Sequence, residues 1–205
     1  MSKLLSVLMS SSGGGGIKFK TYCYALNNGC CLIEDLTVNG FKVKGKLIDT
    51  SSISNSNRNL YIVGGSQYTS NPSYWTGCFL SMTANSQKKT ISIGYMGGST
   101  GEQLVDSSGN IIKTDFEYSR INFNTGYSLT KFCLFAYLKG YKTQDNVFEN
   151  FMNDKIKVQN IVLYNGNTEV ANLIPAIVKS ESGMYDTINE QFYGNANSVG
   201  SLVCE

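Results

Sequence analysis

The stretch that decides the fold runs from Gln159 to Asn195 and reads QNIVLYNGNTEVANLIPAIVKSESGMYDTINEQFYGN. Its apolar residues alternate with polar ones over short runs separated by turn residues, which is a strand pattern and not a helical one. Asn165-Gly166 predicts a tight type I′ hairpin, because both residues readily take positive φ. Pro175 has no N–H to give to a ladder, so the return strand over 169–178 is predicted to be an edge strand or to bend. Further turns at 180–183 and 189–190 complete a predicted antiparallel meander.

The rest of the chain continues this alternation of short strands and turns. Asn39-Gly40 predicts a second tight hairpin. The run LTKFCLFAYL over 129–138 is the longest apolar one and predicts a central strand covered on both faces. The spacing of apolar residues over 142–155 is compatible with one short helix. With 21 glycines, two prolines and 16% charged residues, the chain is predicted to be all-β and to form a two-sheet antiparallel β-sandwich.

Residues 1–16 have a different composition from the rest and are predicted to form an arm, followed by a domain over 17–205. Residues 10–16 read as a flexible serine and glycine linker. The start only loosely resembles a signal peptide, because Ser6 interrupts its apolar run, and we expect it to be retained. The arm is either a disordered tail or a docking peptide that orders against a neighbouring subunit, and we adopt the second interpretation. The residues predicted to anchor it are Leu4, Leu5, Val7, Leu8 and Met9.

Charge and cysteine usage exclude several classes of protein. The net charge is +2 and the basic residues are scattered, so we expect no nucleic-acid partner. No run of 18 apolar residues occurs, so no membrane insertion is expected. The six cysteines have no framework spacing and the chain has no histidine, so we interpret them mostly as buried free thiols, which suits folding in a reducing cytosol.

The sequence offers little catalytic chemistry. Without histidine there is no base for a Ser-His-Asp or Cys-His device. Glu34-Asp35 are adjacent, so on a strand they point to opposite faces and do not form the converging carboxylate pair of a glycosidase. The densest group of oxygen ligands, over 145–154, reads as a solvated helix face and not as a calcium site. We therefore predict no enzyme, no metal and no cofactor.

One polar loop over 66–77 carries three large aromatic side chains, Tyr68, Tyr74 and Trp75. Sugars stack on aromatic faces while asparagine, glutamine and serine bond their hydroxyls, and the loop has both kinds of residue. These three residues are therefore the candidate glycan-binding site. The alternative is that Trp75 and one tyrosine pack inward or against another subunit.

A family resemblance rests on residues of the opening stretch taken in order. They are Tyr164, Asn165, Gly166, Leu173, Ile174, Pro175, Ala176, Gly183, Met184, Tyr185, Asp186, Phe192, Tyr193 and Asn195. This order resembles the C-terminal half of a concanavalin A-like (LamG-type) jelly-roll module, which is common in bacteriophage and prophage proteins of gut bacteria. The resemblance implies a jelly roll over roughly residues 17–204.

The function that the resemblance implies is that of a bacteriophage virion structural protein: a fibre, decoration or tail-associated module that is not an enzyme. A glycan-binding adhesin or receptor-binding protein is the alternative, and a glycoside hydrolase has the least support. The expected partners are other virion proteins and copies of the chain itself, and a host surface glycan in the adhesin alternative. The expected location is the virion, assembled in the cytoplasm of a bacterial host.

Overall fold

The structure is a computed structural model that describes residues 16–47, 58–66, 77–85, 90–95, 102–108, 110–120, 129–139, 147–149 and 156–205. These residues form strands and turns and contain no helix. The strands are β1 (Lys18–Phe19), β2 (Cys23–Leu26), β3 (Cys31–Val38), β4 (Gly40–Leu47), β5 (Arg58–Ser66), β6 (Gly77–Asn85), β7 (Thr90–Tyr95), β8 (Glu102–Val105), β9 (Asp115–Arg120), β10 (Leu129–Leu134), β11 (Tyr137–Lys139), β12 (Val147–Glu149), β13 (Ile156–Asn165), β14 (Thr168–Val178), β15 (Glu181–Asp186), β16 (Gln191–Tyr193) and β17 (Ser201–Cys204).

The described strands form two large antiparallel sheets and a small one. The nine-stranded sheet contains the path β16-β15-β14-β13-β2-β17, with β1 beside β14, β4 beside β13 and β9 beside β4. The six-stranded sheet has the order β3-β10-β5-β6-β7-β8, and β11 pairs with β12. Since β3 and β4 follow each other in the chain but belong to different sheets, the segment between them carries the chain from one sheet to the other.

One hydrophobic core lies between the two large sheets. Burial alternates along the strands, as in β4, where Phe41 and Val43 are buried while Lys42 and Lys44 are partly exposed. The core cluster draws on both sheets and includes Cys31, Ile33, Val38, Leu104, Leu134, Phe41, Val43, Ile161, Leu163 and Leu173. Because the inner faces of both sheets share this cluster, the predicted two-sheet antiparallel β-sandwich is confirmed.

The predicted C-terminal meander is confirmed, with its first turn one residue later than expected. Strands β13 to β16 pair in sequence order. Asn165 pairs with Thr168, so the loop is Gly166-Asn167, and only Gly166 has positive φ, at 61°. Glycine at the first central position is the type II′ arrangement and not the predicted type I′.

Strand β14 is interior and not an edge, because β15 pairs along one side of it and β13 and β1 along the other. Pro175 lies where the neighbouring strand on this second side of β14 changes from β13 to β1. Pairing with β13 ends at Leu173, and pairing with β1 begins at Ala176. Pro175 lies between them and its carbonyl accepts a hydrogen bond from the Lys20 N–H at 2.8 Å. The missing N–H therefore falls where the neighbouring strand on this side of β14 changes.

Three local expectations are wrong. Asn39-Gly40 is not a hairpin turn, since β3 pairs with β10 while β4 pairs with β13 and β9. The long apolar run over 129–138 breaks into β10 and β11, because Phe135 takes a φ of 66°. Part of the expected helix, Val147–Glu149, is a strand paired with β11. The sequence interpretation also missed β17, which pairs with β2.

Candidate functional site

The aromatic loop leaves the fold at one end of the six-stranded sheet. Strands β5 and β6 form an antiparallel pair that ends with Ser66 opposite Gly77. The candidate glycan-binding residues Tyr68, Tyr74 and Trp75 lie between these two positions and outside the described residues. The structure therefore fixes where the loop begins and ends.

Other connections leave from the same end, which we call the loop end. Strand β7 runs antiparallel to β6, so its last residue, Tyr95, lies at this end. Strand β10 runs antiparallel to β5, so its first residue, Leu129, lies there as well, opposite Val38 of β3. The segments 96–101 and 121–128 thus connect to the fold at the same end as the aromatic loop.

The loop end has a rigid frame where the chain passes between the sheets. The Asn39 N–H donates to the Tyr164 carbonyl at 2.8 Å. The Asn39 Oδ1 accepts a hydrogen bond from the Gly166 N–H at 2.7 Å. These two bonds tie the β3–β4 corner to the β13–β14 hairpin. The Asn-Gly pair that sequence reasoning took for a hairpin turn instead locks the two sheets together.

The adjacent carboxylates of β3, Glu34 and Asp35, have different surroundings. Glu34 forms an ion pair with Lys131 on the neighbouring strand, 2.8 Å from its Nζ. Asp35 is exposed and has a φ of 63° beside a bulge where β3 carries extra residues opposite β10. A glycosidase uses two carboxylates that converge on one glycosidic bond, whereas Glu34 is paired with a lysine of the neighbouring strand.

The predicted anchoring arm joins the fold at the opposite end, which we call the arm end. Strand β1 pairs antiparallel with β14, Lys18 opposite Ile177, close to the turn at Lys179-Ser180. Strand β14 begins at the loop end with Thr168, so Ile177 lies at the other end of the sandwich. The anchoring candidates Leu4, Leu5, Val7, Leu8 and Met9 lie outside the described residues.

The root of the arm is fixed by ordinary packing. The Phe19 ring meets the Tyr185 ring edge to face, with 5.8 Å between the centroids. The antiparallel pairing sends the chain into β1 from the arm end. Gly16, just before it, has no atom of the protein within 4 Å of the position that a Cβ would take. The chain is therefore paired with β14 from Lys18 onwards, and the described residues leave space beside Gly16.

Among the residues that carry the family resemblance, Asp186 has a structural role. Its carboxylate is fully buried. Its Oδ1 accepts the N–H groups of Asn172 at 3.0 Å and Ile188 at 2.9 Å, and its Oδ2 accepts the Asn189 side chain at 2.6 Å. These bonds hold the β15–β16 turn against β14. One carboxylate accepts all three hydrogen bonds, so its oxygen atoms are engaged in holding the fold together.

Asn195 and Gly183 have structural roles as well. The Asn195 Oδ1 accepts the Cys30 N–H at 3.0 Å, and its Nδ2 donates to the carbonyls of Asn197 and, at 2.8 Å, Gly200. At Gly183 a Cβ would lie 2.3 Å from the Tyr193 carbonyl oxygen. At these positions, the residues that carry the family resemblance serve the packing of the meander and present no exposed functional group.

A charged face on the nine-stranded sheet escaped the sequence interpretation, although the alternation KVKGK over 42–46 could have revealed it. Glu117 lies 2.5 Å from the Lys42 Nζ and 3.1 Å from the Lys44 Nζ. The hydrogen bond to Glu117 raises the pKa of Lys42, and the hydrogen bond from Lys42 lowers the pKa of Glu117. All three side chains are exposed, so solvent screens the interaction.

The same face carries a lysine between two tyrosines. Lys157 pairs with the side chain of Glu205, and its Nζ lies 5.7 Å from the Tyr22 ring centroid and 5.4 Å from that of Tyr24. Both distances are within the range of cation–π contacts. The Lys157 ammonium therefore interacts with both rings.

Metal and membrane chemistry find no support in the described part of the chain. It contains no group of three or more histidine, cysteine, aspartate or glutamate side chains that could hold a metal ion. Of the acidic residues considered at the sequence level, Asp145 and Asp154 lie outside the described residues. The described ranges also hold no helix with the length and apolar character that crossing a membrane requires.

The described strands define an antiparallel two-sheet β-sandwich, and the aromatic loop and the segments 96–101 and 121–128 connect to it at the loop end. Comparison with models of protein families, with curated proteins and with solved structures gives no match.

Proposed function

We propose that the chain is a non-enzymatic structural protein of a bacteriophage particle, a fibre, decoration or tail-associated module built on a concanavalin A-like jelly roll. The observation that carries the proposal is the separation of the two candidate surfaces. The arm joins β1 beside Ile177, and the aromatic loop leaves from Ser66 and Gly77 at the other end. Nine residue steps of β14 separate Thr168 from Ile177, which is about 30 Å.

This separation suits a protein that is anchored at one end and displayed at the other. An apolar arm at the arm end can insert into a neighbouring virion protein without covering the loop end. Identical copies on one particle would then turn weak surface contacts into firm attachment. The partners are accordingly other virion proteins and copies of the chain itself.

Two further observations favour this function. Cys23, Cys30, Cys31, Cys133 and Cys204 are buried free thiols, which suits folding in the reducing cytoplasm of a bacterial host. The carboxylates that the structure describes in contact with partners serve the fold. Asp186 holds a turn, while Glu34 and Glu117 are paired with lysines. Together with the absence of histidine from the sequence, this favours a non-enzymatic role over a glycoside hydrolase.

Immunogold electron microscopy tests the proposal on particles of the phage that encodes the chain, with antibody raised against residues 17–205. We expect label on the particle. Label over the capsid would identify a head fibre or decoration protein, and label at the tail tip would identify a receptor-binding module. Particles that carry no label, although the antibody detects the purified protein, would overturn the virion assignment.

Deletion of residues 1–16 tests the anchoring role separately. We expect a folded protein with an unchanged unfolding midpoint that no longer enters particles. The full-length Ser11→Ala variant is the matched control, because it alters the linker and keeps the apolar anchor, and it should be incorporated normally. Normal incorporation of the deleted protein would refute the anchor.

A glycan-binding adhesin is the second candidate function. The aromatic loop favours it, because this loop leaves the sandwich at the end away from the arm, beside the segments 96–101 and 121–128. If Tyr68, Tyr74 and Trp75 form a sugar platform, Trp75→Ala should lower binding to host cells by roughly tenfold or more, as expected for the loss of one stacking ring. The control is Val199→Ala, since Val199 is 74% exposed near the arm end. Equal binding by the folded Trp75→Ala protein would exclude this platform.

A further inference from the structure

Two cysteine thiols face each other across neighbouring strands near the C-terminus. Cys23 of β2 lies directly opposite Cys204 of β17 in the antiparallel register. The adjacent pair, Tyr22 and Glu205, exchanges both backbone hydrogen bonds, each at 3.0 Å. Hydrogen-bonded and non-hydrogen-bonded pairs alternate along an antiparallel ladder, so Cys23 and Cys204 form a non-hydrogen-bonded pair. The Cys204 N–H points elsewhere, to the Ser182 Oγ at 3.2 Å.

This type of pair has the spacing that a disulfide needs. Opposite residues in a non-hydrogen-bonded pair have Cα atoms about 4.5 Å apart, within the range of roughly 4.4–6.8 Å found for disulfides. Each thiol shifts the pKa of the other, and the Cys204 thiol donates a hydrogen bond to the Gly183 carbonyl at 3.2 Å. The backbone therefore does not have to move far for the two sulfur atoms to bond.

We propose that Cys23 and Cys204 form a site of oxidative modification, at which hydrogen peroxide converts the two thiols into a cross-strand disulfide. The disulfide would tie the C-terminal strand β17 to β2. It would close a loop that contains nearly the whole chain.

Cys204 is the attacking residue of the pair. It is 6% exposed while Cys23 is fully buried. The Cys23 thiol lowers the pKa of Cys204, whereas the Cys204 thiol and burial raise the pKa of Cys23. The thiolate is the nucleophile, so the sulfur with the lower pKa and greater access reacts first.

The reaction balances with one peroxide molecule. The Cys204 thiolate attacks one peroxide oxygen and the O–O bond breaks. The departing hydroxide takes up a proton and leaves as water, and Cys204 becomes a sulfenic acid. The Cys23 sulfur then attacks the Cys204 sulfur, the S–O bond breaks, and the hydroxide leaves as a second water with the Cys23 proton. The two sulfurs together give up two electrons to the peroxide.

A second thiol pair provides an internal comparison. Cys30 and Cys133 are fully buried in one small cluster, and the Cys133 thiol donates to the Leu134 carbonyl at 3.5 Å. Cys133 lies opposite Leu32, and Cys30 lies two residues before Leu32, immediately before β3 begins, so it is at most a diagonal neighbour of Cys133. Diagonal neighbours are roughly 7–8 Å apart, beyond the usual Cα separation of a disulfide. We therefore expect this pair to stay reduced while Cys23 and Cys204 are oxidised.

The test treats the full-length reduced protein with hydrogen peroxide and maps its peptides without reduction. We expect a crosslink between the peptides that contain Cys23 and Cys204, about 2 Da lighter than their sum. The thermal midpoint of the native protein should rise by about 5–10 °C, because the disulfide restricts the unfolded chain, and dithiothreitol should reverse the rise.

Cys204→Ala should abolish both the crosslink and the rise in midpoint. The matched control Cys133→Ala removes a thiol of the diagonal pair and should keep both. If a variant does not fold, peptide mapping of the oxidised wild-type protein still shows whether Cys23 and Cys204 are crosslinked. Thiols that all remain reduced, a crosslink between any other two cysteines, or a Cys204 sulfinic acid without a crosslink would overturn the proposal.

Discussion

At the scale of single residues, the positions that give this chain its family resemblance are fixed by close contacts. Gly183 pairs with Ala176 of β14, and its Cα faces the neighbouring strand β16. A Cβ there would meet the Tyr193 carbonyl oxygen at 2.3 Å and the Phe192 ring at 2.7 Å. Backbone atoms of a paired strand cannot move aside for a methyl group, so glycine is required by space and not by φ.

Gly183→Ala should therefore lower the free energy of unfolding by about 1–3 kcal/mol, the usual effect of overpacking. Urea denaturation measures it. Alanine variants of two other glycines distinguish a steric clash from backbone strain as the cause of the loss in stability. Gly166→Ala meets no atom but must take a φ of 61°, which costs about 1–2 kcal/mol. Gly16→Ala has open space and no positive φ, and should change stability by less than about 0.5 kcal/mol. Equal effects at Gly183 and Gly16 would contradict the close contact.

Tyr193 gives the protein a dependence on alkaline pH. The residue is 8% exposed. Burial, followed by the charge of Asp186, raises the pKa of Tyr193 from 10.0 to about 12. Because the folded-state pKa is the higher one, the stabilisation is fully present below the unfolded pKa of about 10. It is lost as the pH rises from there through the folded-state value, by at most about 1.4 kcal/mol per pH unit.

The free energy of unfolding of the wild-type protein should thus fall more steeply above pH 10 than that of Tyr193→Phe, which has no phenol at this position to ionise. Urea titrations at several alkaline pH values would measure both slopes. Identical slopes for the two proteins would show that Tyr193 ionises as readily in the fold as in the unfolded chain.

At the scale of elements, the β14–β15 turn is made of residues that are poorly suited to it. Val178 pairs with Glu181, so Lys179 and Ser180 are the two central residues, with φ values of 49° and 73°. Two positive φ values indicate a type I′ turn, which favours asparagine followed by glycine. Ser180→Gly should therefore stabilise the protein by about 0.5–1 kcal/mol, because it removes the strain of a side chain at positive φ.

Asn167→Gly in the neighbouring β13–β14 turn is the matched control. Asn167 is also a central turn residue, but its φ is not positive. Glycine at this position relieves no strain and adds freedom to the unfolded chain, so stability should fall slightly. Thermal unfolding of the two variants should give midpoints that shift in opposite directions. If the midpoints of both variants rose, the positive φ of Ser180 would not explain the gain in stability.

The elements also show how far the sequence could predict the fold. The meander was predictable because its hairpins form between strands that are neighbours in the chain. Asn165-Gly166 and Asn39-Gly40 look alike locally, yet one opens a hairpin and the other carries the chain between sheets. The difference lies in distant partners, since Asn39 bonds to Tyr164 and Gly166. Phe135 also takes a positive φ, and no local sequence pattern predicts it.

The sites were predictable only in part, for a related reason. The aromatic loop and the apolar arm are visible in composition alone, but their placement at opposite ends depends on strand register. The Cys23 and Cys204 thiols are 181 positions apart in the chain. Only the pairing of β2 with the unpredicted strand β17 brings them together. Cysteine spacing could not reveal a contact of this kind.

At the scale of the whole molecule, a display role needs both ends to be held by one rigid body. The shared core supplies this. Leu134 of the six-stranded sheet and Leu163 of the nine-stranded sheet are fully buried in the same cluster. A cluster that joins both sheets predicts that neither sheet unfolds without the other.

Leu134→Ala and Leu163→Ala should each lower the free energy of unfolding by about 2–5 kcal/mol. Each should also shift two probes of unfolding together: far-ultraviolet circular dichroism, which reports on both sheets, and the fluorescence of Trp75, which is the only tryptophan. Val199→Ala, at an exposed position, should leave both transitions in place. If Leu163→Ala moved the dichroism transition and left the fluorescence transition unchanged, the sheets would unfold separately. A force applied at the arm end would then not be carried by a single body to the loop end.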